Sequence, residues 1–193
     1  MSGDGGWARF DRGVARALVA SGVPVVGWSA FRYLWRERTP EDIATDLAAV
    51  MHDYRAAWQT KHVLLIGFSR GADLMPFAYN RLPADPAEQV AAIGLLAPTA
   101  EAGFGYRLVD WLLPETLSKR WFGPPPGLRA ITPEISRLPQ GRTVILSGAD
   151  DPMAIDSEAL ASTHVQAETW PGGHHLGHAY TAIAERLLAL AGI

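Results

Sequence analysis

The chain reads as an α/β fold with a mostly parallel sheet and helices on both faces, and three observations lead there. Short β-branched or aliphatic runs alternate with longer amphipathic segments along its 193 residues, the order that a parallel sheet with crossover helices imposes. The runs are apolar throughout rather than alternating, as in strands covered on both sides. Charged residues at 19% and hydrophobic residues at 48% are ordinary globular values, and the length suits one domain, 1–193.

Each element has a local reason. Trp7 to Ala20 predicts a helix with an apolar stripe of Phe10, Val14, Leu18 and Val19, closed by Gly22. Val23 to Gly27 predicts the first strand. Thr39-Pro40-Glu41-Asp42 combines an N-cap, a proline at the first helical position and acidic first-turn residues, and starts a helix running to about Trp58. His62 to Ile66 is the next strand, followed by a helix over Ala72 to Leu82. Val90 to Leu96, Thr143 to Leu146 and His164 to Thr169 are further strands, and an apolar helix from about Tyr180 to Leu190 ends the chain. Between about 98 and 139 the pattern loosens around Phe104, Tyr106, Leu108, Trp111, Leu112, Leu113, Trp121 and Phe122. This insertion is either a lid or acyl-binding wall over the site, or a helical excursion that packs its rings inward.

Composition also excludes. A net charge of −3 offers no basic field for nucleic acid. With no cysteine there is neither a disulfide framework nor a thiolate ligand or nucleophile. No apolar run reaches the roughly 18–20 residues of a membrane span, and no export signal precedes Ser2.

The chemistry centres on Gly67-Phe68-Ser69-Arg70-Gly71, which joins a strand to a helix. A Gly-x-Ser-x-Gly in that context is the nucleophile elbow of α/β-hydrolases and makes Ser69 the candidate nucleophile. A serine hydroxyl needs a base, and the base a carboxylate, in the chain order Ser, acid, His. Gly148-Ala149-Asp150-Asp151-Pro152 follows the Thr143 strand, where the acid loop belongs; Asp151 is the first choice, with Asp150 and Asp156 behind it. Pro171-Gly172-Gly173-His174-His175-Leu176-Gly177-His178 supplies the base: His175, because an apolar residue follows it, with His174 as the alternative. Three histidines in a glycine-rich tract also suit a metal, but no carboxylate shares the tract and the elbow already accounts for one of them. Neither metal nor cofactor is expected.

For the oxyanion, one donor is the N–H of Arg70 and the other that of Asp4 or Gly5, in the loop Ser2-Gly3-Asp4-Gly5-Gly6-Trp7. Asp73, one helical turn after Ser69, either anchors the elbow or faces a cationic substrate group. The segment Trp28 to Arg36, with Arg32, Tyr33 and Trp35, either binds an anionic head group or is a loop held by cation–π contacts.

Taken together, these segments resemble the bacterial virulence proteins VirJ and AcvB, over nearly the whole chain apart from 98–127. The matching stretches are Ser2 to Trp7, Gly22 to Gly27, Arg32 to Trp35, Arg38 to Glu41, Gly67 to Asp73, Pro76-Phe77, Asn80 to Pro83 and Pro171 to His175. The resemblance implies an α/β-hydrolase domain in the periplasm, acting as a serine hydrolase on aminoacylated phosphatidylglycerol, notably the lysyl ester. It also implies transient contact with a membrane surface and links to virulence and type IV secretion proteins. The same order of elements places one more strand, ahead of the Ser2 loop, between the Val23 and His62 strands. Without it those two strands are expected not to pair, leaving a slot of roughly 9–10 Å, twice the ~4.8 Å strand spacing, that Met1 to Asp4 cannot fill.

Overall fold

The computed structural model describes residues 1–106 and 127–193. Its main sheet holds four parallel strands in the order β1 (Val63–Phe68), β2 (Val90–Leu96), β5 (Thr143–Gly148) and β6 (Gln166–Trp170). Each step between neighbours therefore crosses over through helix, as parallel pairing requires.

Four longer helices clothe the sheet. Helices α1 (Arg9–Ala20) and α8 (Tyr180–Ala191) pack on one face, where Phe10, Val14 and Leu18 meet Leu96, Leu146, Ile183 and Leu187. Helices α3 (Pro40–Trp58) and α4 (Arg70–Tyr79) pack on the other, where Ile43, Leu47 and Met51 join Leu74, Ile93, Leu95 and Ile145. Successive residues of β2 and β5 thus point into two different cores, which is why these strands read as unbroken apolar runs. Helix α3 starts as its sequence predicts. The Thr39 hydroxyl accepts from the Asp42 amide, and the Asp42 carboxylate accepts from the Thr39 amide in return. In α1 the stripe buries Phe10, Val14 and Leu18, but Val19 is exposed, one position off the core-facing side.

The insertion begins with a two-stranded antiparallel pair, β3 (Glu101–Ala102) with β4 (Arg129–Ala130), followed by the single-turn helix α6 (Thr132–Ile135). Phe104 is buried against Phe77; Leu108, Trp111, Leu112, Leu113, Trp121 and Phe122 lie outside the described residues, and with them most of the choice between lid and excursion. Three more single turns, α2 (Ala30–Tyr33), α5 (Ala84–Glu88) and α7 (Ser157–Ala161), are too short to leave a periodic signature.

One expected strand is not in the sheet. Val23 to Gly27 is neither helix nor strand and forms no ladder with β1. A cavity of about 210 Å³ separates them, lined by Val23, Val25, Leu64, Ile66, Met51 and Val14 among others. The slot is not wholly empty, however. At its upper end the Met1 ammonium donates to the Ile66 carbonyl at 2.6 Å, and the Phe68 amide donates to the Met1 carbonyl at 3.1 Å. The Ser2 amide then donates to the Trp28 carbonyl at 2.9 Å, so two residues bridge both walls.

Candidate active site

The elbow is built by close approach. A Cβ on Gly67 would lie 2.3 Å from the Gly71 carbonyl oxygen, and one on Gly71 would lie 2.3 Å from that of Met1. Both positions therefore have to be glycine, since no side-chain carbon tolerates such contacts. Ser69 between them adopts φ 51° and ψ −121°, a conformation that a non-glycine residue holds only when its surroundings impose it. Its amide donates to the Leu96 carbonyl, and its own carbonyl accepts from Ala72 and Asp73. Ser69 thus stands at the carboxyl end of β1 and the amino end of α4, where unpaired amides and the helix dipole favour negative charge.

The acid and base loops meet beside it. A carboxylate oxygen of Asp151 lies 2.7 Å from His174 Nδ1, with the Asp151 side chain fully buried and His174 only 17% exposed. The other Asp151 oxygen accepts from the Met153 amide. An ionised carboxylate only accepts, so Nδ1 carries the proton and Nε2 is left as the basic nitrogen. The competing aspartates are occupied otherwise. Asp150 is exposed, and Asp156 caps α7 by accepting from the Glu158 amide. His174 lies against Phe68, ring centroids 5.3 Å apart, which puts it next to the elbow. No hydrogen bond joins Ser69 Oγ to either imidazole; such contacts are often long before substrate binds.

Here the structure departs from the expectation of His175. That ring turns to the other side of the loop, stacking on His178 at 5.5 Å and edge-on to Phe10, and it lines a cavity with Gly3, Gly5 and Phe10. Its pKa is lowered by burial and by the two neighbouring histidines. The apolar Leu176 that suggested His175 is fully buried and anchors the loop, so it marks the anchor rather than the base.

The oxyanion loop reaches the elbow from the slot. A Cβ on Gly3 would lie 3.1 Å from Ser69 Cβ, so the loop backbone passes over the nucleophile. Among the described residues the amides of Asp4, Gly5 and Arg70 have no hydrogen-bond partner. The Asp4 carboxylate accepts from Arg70 Nε at 2.8 Å and from the Tyr106 hydroxyl at 2.6 Å, tying loop, elbow helix and insertion together. Tyr106 is the site residue that the sequence does not single out, being one ring among several in an irregular stretch.

The other expected binding residues divide. Asp73 is buried and accepts from both the amide and the hydroxyl of Thr99, so it clamps the loop after β2 and offers nothing to a substrate. Burial pushes its carboxyl up to about 7. The Tyr33 hydroxyl is committed to Asp46 at 2.6 Å, with the Arg38 guanidinium over its ring. Tyr33 is therefore structural, whereas Arg32 and Trp35 are exposed. Trp35 stacks on Phe31, and Phe31 on Tyr106, making an aromatic ledge that leads to Asp4. Among the described residues no three His, Asp or Glu side chains converge as metal ligands.

A strained serine between strand and helix, a histidine–aspartate pair on the later loops and a parallel sheet beneath them define the α/β-hydrolase fold, and solved structures agree. An extracellular α/β-hydrolase from a Paenibacillus species is 13% identical, covering 98% of this chain and 96% of its own, with a TM-score of 0.56. The type II thioesterase BorB of the borrelidin biosynthetic cluster is 23% identical, covering 100% and 89%, at 0.60. Est1E from Butyrivibrio proteoclasticus, bound to ferulic acid, is 15% identical, covering 100% and 88%, at 0.63. No curated protein matches the sequence. The family model for the bacterial virulence protein VirJ matches residues 1–191, and the chain belongs to that family.

Proposed function

We propose that this chain is a serine hydrolase of carboxylic esters, with Ser69 as nucleophile, His174 as base and Asp151 as the acid that orients it. The Asp151–His174 bond beside the strained serine is the observation that carries this reading. Ser69 Oγ attacks the ester carbonyl as His174 Nε2 takes its proton. The amides of Arg70 and Asp4 receive the oxyanion, and the alcohol leaves with the proton from His174. Water then repeats the sequence on the acyl-enzyme.

The substrate proposed is an aminoacylated phospholipid, lysyl-phosphatidylglycerol. Membership of the VirJ family supports it, as do a half-exposed carboxylate on Asp4 for an ammonium and the exposed Arg32 and Trp35 for a lipid head group. A periplasmic location, brief contact with a membrane surface and a link to secretion-system proteins belong to the same proposal. Purified protein should release lysine from vesicles of lysyl-phosphatidylglycerol faster than it cleaves a short neutral ester, and Ser69→Ala should release none. Asp4→Asn should slow the lysyl substrate about tenfold more than the neutral ester, the scale of one charge-assisted contact. Equal slowing of both would assign Asp4 to holding the loop, and lysine release by Ser69→Ala would remove the nucleophile assignment.

A further inference from the structure

We propose that the slot between β1 and the Val23–Trp28 segment is the seat of one further parallel β-strand, an apolar run of at least four residues joined by its carboxyl end to Met1. Both walls carry backbone groups turned toward the gap. In β1, Ile66 and Phe68 bond to Met1, while the amides of Val63 and Ser69 bond on the β2 side. From Leu64 to Phe68 the even-numbered residues therefore face the slot, and the amides of Leu64 and Ile66 have no partner there among the described residues. On the opposite wall the amides of Val26 and Trp28 are likewise unpaired, although the Trp28 carbonyl already accepts from Ser2. Unpaired backbone donors within a protein's interior are rare, and rows of them on a sheet edge are a template for another strand.

Met1 and Ser2 fix what that strand is. Met1 donates to residue 66 and accepts from residue 68, which is parallel pairing with β1; Ser2 begins the same pattern on the other wall. Continuing the ladder backward, the residue directly before Met1 would donate to Val26 and accept from Trp28. The second before it would donate to Leu64 and accept from Ile66. The third would accept from Val26 and the fourth from Leu64. Pro24, with no amide hydrogen to offer, marks where the need on that wall stops. All four unpaired amides are satisfied by a single strand in one register. The lining is apolar on both sides of the gap, with Val14, Leu18 and Phe10 from α1 and Leu47, Val50 and Met51 from α3, so the strand's side chains are apolar on both faces. A covalent link to Met1 is favoured because its nitrogen is fully enclosed and already aimed at a carbonyl. An amide there keeps the hydrogen bond and removes a charge that burial disfavours, as its lowered pKa of about 6 records.

The test extends the full chain at Met1 with four apolar residues, Val-Ile-Val-Leu, behind a short polar leader. The control extension carries proline at the second and fourth positions before Met1, where β1 must be met. Thermal unfolding and amide hydrogen exchange are measured for both and for the parent. The apolar extension should raise Tm by several degrees over parent and control, and should slow exchange at Leu64, Ile66, Val26 and Trp28 at least tenfold. If the parent is poorly folded, a folded apolar extension beside an unfolded control supports the proposal equally. Identical Tm and exchange in the two extensions would overturn it. The same four residues added as a separate acetylated peptide should fail to bind; saturable protection by that peptide would move the occupant to another chain and overturn the covalent assignment.

Discussion

β2 and β1 lie side by side in one sheet, yet only β2 has a strand on each flank. β2 buries both faces and pairs along its length with β1 and β5. β1 pairs with β2 alone and meets Met1 only at its last turn of the ladder, leaving Leu64 and Ile66 half-buried against the slot. The catalytic groups nevertheless assemble at the upper end of both strands. Ser69 is held by Leu96 from β2, the Asp151–His174 pair follows β5 and β6, and the Ser2 loop is braced across the slot by two residues. The chemistry is thus carried by the ends of the strands, while cohesion is carried by their flanks, and the two are separable.

The largest effect expected concerns the strand ends. His174→Ala should lower ester hydrolysis about 10²–10⁴-fold, the usual contribution of a general base, whereas His175→Ala should change it by less than about threefold. Both are read as kcat/KM on one ester. A reversed order would return the base to His175 and break the link drawn between Asp151 and the elbow.

Next comes cohesion. Leu146→Ala, at a fully buried position between packed layers, should cost about 2–5 kcal/mol in denaturant unfolding. Leu64→Ala, on the wall of the slot, should cost about 1 kcal/mol or less because part of its surface is already unpacked. Equal losses would mean that the slot side is as tightly packed as the core.

The smallest effects come from titration. The Met1 amine is lowered from 8.0 to about 6 by burial, with Asp11 opposing. Its folded pKa lies below the unfolded one, so the native state prefers the neutral amine. Stability should therefore fall as pH drops from 8 to 6, by at most about 2–3 kcal/mol for a shift of two units. Amino-terminal acetylation should flatten that slope. Asp73 has the opposite sign: its raised carboxyl stabilises the fold at low pH, and the contribution is lost between about 4 and 7. Asp73→Asn should match the parent near pH 5 and gain on it above pH 7 in the same unfolding series, and a constant difference across that range would deny the carboxyl its buried, proton-holding state.

Much of this is legible in the residues because it is local. Thr39 and Asp42 announce the start of α3, and Gly67 and Gly71 announce an elbow whose glycines prove to be steric necessities. The apolar runs of β2 and β5 give strands because both their faces are covered. What misleads is non-local. Val23 to Gly27 has strand composition, but a strand exists only with a hydrogen-bonded neighbour, which composition cannot supply. His174 and His175 are equivalent in sequence, and only the turn of the loop around buried Leu176 decides which one meets Asp151. Asp73 stands one turn from the nucleophile, yet Thr99, distant in sequence, claims both its oxygens. Tyr106 is recognisable only once Asp4 is seen beneath its hydroxyl.

The bond from the Phe68 amide to the Met1 carbonyl makes the first residue a gauge of catalytic alignment. Phe68 is the residue before the nucleophile, and Gly3, two after Met1, passes over Ser69. A slip of this segment by one pleat repeat, about 6.6 Å along β1, would keep the same kind of hydrogen bonds but carry the oxyanion donors clear of the serine. Turnover therefore reports the register of residue 1, and a chain can be folded, paired and silent.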